Sequence, residues 1–453
     1  MSMICWILSL TVLITVESTS FAEQSLEAPV RELSLREVLY KTMTQDPRMK
    51  AARYNLEATE SAISRSLSGF LPSIDASMAA GTFRDKVPTA YETLPPGVAR
   101  DRNNYEGQVK LTQPIFSGLR DVSAVRAAQS GRDSKQHQLA LTRAQIAEEV
   151  VLRYFELQSL SRELRAEEEV GIFRKRQFEE VKNRFVAGRA TELEKLQAEY
   201  AVESQGPRVA SLRTDIESGL VGLLQNIGET VGTRVMLVDS LEGASAKLDD
   251  VKLPPYSEAQ EKARTQNFEL LKSASDIDSQ DSSTGETLAK HLPSVDFELF
   301  AKTKASRRTE VATAEATSYA GQVVLKVPLF SGLSSVWERR EAASRKKGLE
   351  EDRVIIWNRI TTDLYKSYKD WDLAKAKEKA ETVNLKLTSQ KIRSADSSYR
   401  NGRATLTDVL DSYSQDLAAR RNLAQAQLDK LRSFFAIRRL TGEVIDYESK
   451  ESL

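Results

Sequence analysis

Catalysis requires particular side chains at particular spacings, and this chain offers few. Its two histidines, His137 and His291, stand alone, with no Cys, His or carboxylate at metal-ligand spacing from either. No glycine loop ends in the lysine that would cradle a phosphate, and no Gly-x-Ser-x-Gly turn lifts a serine nucleophile. The acidic run Glu167-Glu168-Glu169 reads as a solvated helix face rather than an acid/base pair. The single cysteine, Cys5, lies in an apolar N-terminal stretch. No catalytic residue, metal ligand or cofactor is therefore expected, and a passive role fits better than an enzymatic one.

The 453 residues carry 65 basic and 65 acidic side chains, a formal net charge of zero, with 40% apolar and 29% charged residues. A surface that tracks nucleic-acid phosphates needs a marked excess of Lys and Arg, so no nucleic-acid partner is expected. Mean hydropathy is -0.42. No apolar run approaches the roughly 20 residues of a spanning helix, which excludes a helical membrane bundle. A membrane β-barrel stays open, because its strands need only about 9–11 alternating residues. The stretch Met3 to Val16, followed by Ser20-Phe21-Ala22, has the length of a signal-peptide core with a small-residue cleavage site, although no Lys or Arg precedes it. A leader over 1–22 is expected.

The chain is written twice. The segment around Pro72 returns around Pro293, and three further landmarks return at one common offset: Gln113 to Leu119 as Val327 to Leu333, Gly188 to Thr191 as Gly402 to Thr405, and Asn226 to Glu229 as Leu440 to Glu443. Such an ordered series marks a duplication. The expected organisation is an N-terminal segment 23–33, a first repeat 34–228, a linker 229–255, a second repeat 256–443 and a tail 444–453. Each repeat reads helix, β-hairpin (72–113 and 293–328), very long helix, turn (187–191 and 401–405), helix. Ser34 with Glu37 predicts a capping box at the start of a helix running to about residue 68.

From Asn104 to Thr112 apolar and polar residues alternate, with Tyr105, Gly107, Val109 and Leu111 on one face; Tyr319, Gly321, Val323 and Leu325 repeat the pattern. Ile74, Ala76 and Met78, and Val295, Phe297 and Leu299, do the same in the strands before them. Period two is the signature of a sheet with one apolar and one wet face. After each FSGL the chain enters a helix of about 69 residues in the first copy, roughly 100 Å long at 1.5 Å per residue. Its apolar seam, Ile146, Val150, Leu157, Leu160 and Leu164, and its counterpart Ile360, Leu364, Trp371 and Ala374, are narrow enough for coiled-coil packing. Pro207 should kink the last helix of the first repeat, whereas Arg421 holds that place in the second.

Four strands cannot close a barrel, and open edges in lipid leave backbone groups unsatisfied. Three copies supply twelve strands, enough to surround an aqueous lumen. The fold expected is an α+β membrane protein, internally duplicated, with a long coiled-coil α-helical barrel joined to a trimeric 12-stranded transmembrane β-barrel. A soluble coiled-coil scaffold is the alternative; it accounts for the helices and leaves the matched strands unexplained.

The order LSLREVLYKTMTQDPRMKAA, GFLPSID, QPIFSGL, RFVAGRATELEKLQAEY and SYRNGRATLTDVLDSYSQ resembles the TolC-like outer-membrane efflux protein family over nearly the whole chain. The resemblance implies a homotrimer in outer-membrane lipid that extends into the periplasm. It further implies a periplasmic adaptor and an inner-membrane transporter as partners, serving small-molecule efflux or type I protein secretion. It carries over a set of residues at the periplasmic turns. Asp408 and Asp411 match the paired acids of the closed aperture, Tyr399 a gate tyrosine, and Glu194 its acidic partner. The gate arginine expected two residues after the glycine is Ala404, with Arg403 one position earlier. Gly188, Arg189, Gly402 and Arg403 are the candidate adaptor contacts at the turn tips. Six carboxylates around a threefold axis would attract cations and repel anions.

Overall fold

The computed structural model describes residues 31–86, 99–229, 235–308, 311–330 and 332–443. The expected leader 1–22 and tail 444–453, and the first hairpin's loop 87–98, lie outside the described residues. The chain opens with β1 (Arg31–Leu33), α1 (Leu35–Gln45) and α2 (Pro47–Leu67), then β2 (Ser73–Lys86) and β3 (Ala99–Phe116). The long α3 (Arg120–Val186) follows, then α4 (Glu192–Glu203) and α5 (Gln205–Asn226). Between the repeats lie β4 (Val235–Leu237) and α6 (Leu241–Lys247). The second repeat holds α7 (Tyr256–Gln266), α8 (Phe268–Ala289), β5 (Ser294–Arg308), β6 (Val311–Lys326), α9 (Ser334–Arg400) and α10 (Leu406–Leu440).

The long helices have 67 residues each, so each runs about 100 Å. Neither they nor any other helix among the described residues is long and apolar enough to cross a membrane. Where the sequence pattern predicts one opening helix over 34–68, the structure has two. Asp46 precedes Pro47 and is driven to an extended ψ of 126°, ending α1, while its carboxylate caps α2 by accepting from Arg48 N–H at 2.7 Å. Asn267 repeats the break, with ψ 123° and a side chain that caps α8. The expected capping box at Ser34 is half made. Ser34 Oγ accepts from Glu37 N–H at 3.2 Å, but the Glu37 carboxylate turns to Arg31 and Lys41 instead. The last helix of the first repeat is interrupted at Ser204, just before Pro207 removes the N–H that would reach the Glu203 carbonyl, and α10 runs unbroken.

The large strands form one antiparallel sheet in the order β2-β3-β5-β6, so β2 and β6 are edges within the chain. The register aligns like with like: Ile74 lies opposite Leu111, Leu111 opposite Leu299, and Phe297 opposite Val323. This face stands in the open on a single chain, with Met78 94% and Tyr319 79% exposed. The opposite face is tied by charge: Glu298 pairs with Lys110 at 2.6 Å and accepts from Gln322 at 2.9 Å, and Glu106 pairs with Lys302. The helices follow the strand order, since α2 packs on α3, α3 on α8, and α8 on α9.

Each FSGL turn converts strand to helix through two successive left-handed residues: Gly118 and Leu119 at φ 65° and 67°, Gly332 and Leu333 at 62° and 64°. A leucine there costs roughly 1–2 kcal/mol, and both copies accept it.

The core lies midway along the bundle. Ile146, Val150, Tyr154, Phe155 and Leu157 of α3 meet Val38, Leu39 and Met43 of α1, Leu223 of α5, Ile360 and Leu364 of α9, and Leu431 and Phe435 of α10. Residues 235–255 of the expected linker 229–255 are built into this core, and 230–234 lie outside the described residues. β4 pairs in parallel with β1, the Tyr154 hydroxyl donates to the Leu33 carbonyl at 2.9 Å, and Asp239 Oδ2 accepts from Leu35 N–H at 2.6 Å. A three-residue strand and a seven-residue helix are too short to show a period. One charge is fully enclosed here: Lys430 Nζ bonds Glu378 at 2.8 Å, Asp249 at 2.6 Å and the Ser245 carbonyl at 2.9 Å, joining α10, α9 and the inter-repeat segment.

Candidate functional site

The chain turns back on itself twice at one end of the bundle, and both turns have the same construction. α3 ends in a Schellman arrangement, with Gly188 N–H on the Phe185 carbonyl at 2.9 Å and Arg189 N–H on the Arg184 carbonyl at 2.7 Å. Gly402 N–H on Tyr399 at 2.9 Å and Arg403 N–H on Ser398 at 2.8 Å repeat it. The motif needs a left-handed residue, and Gly188 and Gly402 supply it at φ 68° and 71°. Among the described residues beyond their chain neighbours, nothing lies within 4 Å of a Cβ added to either glycine. Arg189 and Arg403 are exposed beside them.

Each departing helix starts with a full capping box. Thr191 Oγ1 accepts from Glu194 N–H at 3.2 Å while Glu194 Oε2 accepts from Thr191 N–H at 2.7 Å. Thr405 and Asp408 form the same pair at 3.2 and 2.8 Å. These bonds favour the ionised form, so both carboxyls sit below their usual range: Glu194 through the Thr191 N–H first, Asp408 through the Thr405 hydroxyl and then its N–H. Glu194 and Asp408 are thus the same residue of the two repeats. Asp411, three positions beyond Asp408 and on the same helix face, is also exposed.

A small apolar cluster sews the two turns together. Val181, Ala198 and Leu406 are buried, with Phe178, Ala190, Tyr399 and Leu410 packed on them. The cluster brings Tyr399 to Arg184, whose Nη1 donates to the phenol oxygen at 3.1 Å. Burial raises the Tyr399 pKa, against the opposing pull of Arg184. Glu194 spends its carboxylate on its own cap, and the phenol's hydrogen-bonding partner is Arg184. The sequence reading missed this arginine. Its signal was the repeat offset that aligns Phe185 with Tyr399, which puts a basic residue next to the phenylalanine at the paired tip.

Among the described residues no group of three or more His, Cys, Asp or Glu side chains is placed to hold a metal ion. His137 is half-buried on α3 and His291 is exposed in the turn before β5, far apart in the chain.

The family model for "Outer membrane efflux protein" matches residues 38–229 and 259–443, once over each repeat. The chain belongs to that family. It is 21% identical over 443 residues to outer membrane protein TolC of Vibrio cholerae serotype O1, covering 95% of each chain. It is 24% identical over 419 residues to the proteases secretion protein PrtF of Dickeya chrysanthemi, covering 88% of this chain and 86% of that one. Among solved structures, the CmeC outer membrane channel of Campylobacter jejuni shares the fold at a TM-score of 0.77 and 15% identity, over 92% of this chain and 87% of that one. This outer membrane efflux protein is therefore an outer-membrane channel, and the duplicated architecture read from its sequence is that of the family.

Proposed function

We propose that three copies of this channel close into a single duct that passes substrate, without chemistry, from an inner-membrane transporter and its periplasmic adaptor to the outside. One observation carries the reading: a contact made inside the chain by the first repeat has no counterpart for the second among the described residues. The Gly118 turn packs on the end of α8, so that a Cβ on Gly118 would meet Leu292 Cβ at 2.9 Å and the Ala289 carbonyl at 3.0 Å. A Cβ on Gly332, its repeat mate, would meet nothing within 4 Å among the described residues beyond its chain neighbours. The surface it should meet, the end of α2, is equally uncovered: Leu71, the mate of Leu292, is 62% exposed, and Leu329 and Phe330 are 92% and 80% exposed. A neighbouring copy that sets its α2 end on this chain's Gly332 turn would satisfy both, join β6 to the neighbour's β2, and repeat until the ring closes. With four strands per chain, three copies give the twelve strands of a lumen-bearing barrel. The apolar face headed by Met78 and Tyr319 then meets lipid, an exposure that a soluble coiled-coil scaffold would leave unexplained.

At the other end, Asp408 and Asp411 from three chains would ring the aperture and favour cations, Arg184 and Tyr399 would hold it narrow, and the exposed tips Gly188-Arg189 and Gly402-Arg403 would receive the adaptor. Small-molecule efflux and protein secretion both fit this duct. Cross-linking in mild detergent, together with planar-bilayer recording of Asp408→Ala with Asp411→Ala, tests the reading. A trimer whose cation selectivity falls in the double variant supports it. A stable monomer or dimer refutes the duct, and unchanged selectivity removes the two aspartates from it.

A further inference from the structure

Within a chain, the joint between the two tips is tight. Leu406 and Val409 of α10 and Val181 of α3 are buried, and the Tyr413 ring of α10 stacks on Phe173 of α3 with centroids 4.2 Å apart. Arg184 bonds Tyr399 across the same joint. Further from the tip, the buried Asp416 of α10 accepts from the Thr388 and Ser389 hydroxyls of α9 at 2.9 and 3.1 Å and pairs with Arg420 at 2.7 Å, which fastens α9 to α10.

In a closed ring, the contact of α3 with α10 inside the chain is carried by the repeat offset onto a joint between copies, α9 of one against α4 and the end of α3 of the next. The residues at matching places there are of another kind. Leu406, Val409 and Tyr413 become Glu192, Lys195 and Glu199, charged side chains that are exposed or half-buried on the single chain. Phe173 becomes Leu387, which is 54% exposed. The Arg184–Tyr399 bond becomes Ser398 facing Phe185, with neither the cation nor the phenol to make it. Lys195 already lies over the Phe185 ring of its own chain, 5.4 Å from the centroid. Charged side chains at such a joint keep their water, and exposed ion pairs add little to it. The aromatic stack and the charge-assisted bond of the within-chain joint have no replacement.

We infer that the aperture parts at the joints between copies, where the charged face of α4 meets α9 of a second copy of this chain, while the two tips within each chain stay joined and swing as one unit. The inference rests on the ring proposed above. The Arg184–Tyr399 bond keeps the within-chain joint shut, so its loss would add openings inside the chains to those between them.

The test uses the full chain in a Cys5→Ser background. On mild oxidation, Phe185→Cys with Ser398→Cys should link the chains into a covalent trimer and cut open probability in planar bilayers at least tenfold, and reductant should restore it. Oxidised Phe173→Cys with Tyr413→Cys should carry a disulfide within each chain and keep open probability within about twofold of the unaltered channel. Grafting the missing bond, Phe185→Tyr with Ser398→Arg, should lower open probability while the thermal unfolding of the chain stays the same. Closure by the within-chain disulfide alone, or by both disulfides equally, would overturn the inference. So would an intact trimer in which the Phe185→Cys and Ser398→Cys pair fails to couple, which would put another surface at that joint. A monomer or dimer of the unaltered chain in mild detergent removes the ring itself and this inference with it. That arm needs no tip variant, so the two failures are told apart.

Discussion

Arg184 Nη1 donates a 3.1 Å hydrogen bond to the Tyr399 hydroxyl and so ties the last turn of α3 to the last turn of α9. A bond to a charged donor is worth about 1.5–3 kcal/mol, enough to move a closed-to-open ratio about tenfold or more. Arg184→Ala and Tyr399→Phe are expected to raise single-channel conductance or open probability in planar bilayers. Little further gain is expected when the two are combined, because they break one contact. Additive effects would assign them separate roles.

The two capping boxes give the tips an acid sensitivity. Glu194 and Asp408 are held below their usual carboxyl range in the folded chain. Their contribution is therefore fully present at neutral pH and is lost as pH falls through the carboxylate range toward the depressed folded values. Amide exchange over 192–195 and 406–409 should rise on acidification before that of the middle of α10. Glu194→Gln and Asp408→Asn should flatten this pH dependence at their own tip only.

The unequal surroundings of the two FSGL glycines predict unequal outcomes. Gly118→Ala forces a Cβ against Leu292 and the Ala289 carbonyl at positive φ, so it should lower the thermal stability of the protomer itself. Gly332→Ala carries the same backbone strain with open space around it among the described residues. It should leave the protomer folded and weaken the oligomer, measured as the fraction of trimer in mild detergent. Equal loss of trimer with unchanged protomer stability in both variants would contradict the proposed interface.

Lys430 is a buried cation with two carboxylates and a carbonyl around it. Lys430→Ala leaves the Glu378 carboxylate without its cation, held by the Ser245 hydroxyl, and should destabilise by about 3–5 kcal/mol in urea unfolding. Lys430→Met with Glu378→Gln keeps the volume, removes the stranded charge, and should recover a large part of that loss.

Periodic features were legible from sequence because they are local. Alternation fixed which faces of β2, β3, β5 and β6 are apolar, and the 3- and 4-residue spacing of Ile146, Val150 and Leu157 marked residues that are buried. The break at Asp46-Pro47 carried a readable signal, the conformational restriction of the residue before proline, which long periodicity masked. β4 and α6 gave no such signal, since elements of three and seven residues hold less than a full pattern and owe their form to Tyr154, Gln158 and β1 around them.

The candidate site divides in the same way. The Gly188 and Gly402 turns and their Thr caps follow from nearest neighbours in the chain, so sequence alone determined the turns, the duplication and the rods between them. That Arg184 meets Tyr399, that Lys430 meets Glu378 and Asp249, and that the Gly118 turn is covered while Gly332 is bare were decided only by the tertiary structure. Each depends on packing across tens to hundreds of residues. The duplicated halves have similar local sequence but different neighbours, and only three-dimensional packing distinguishes a satisfied surface from one that awaits a partner.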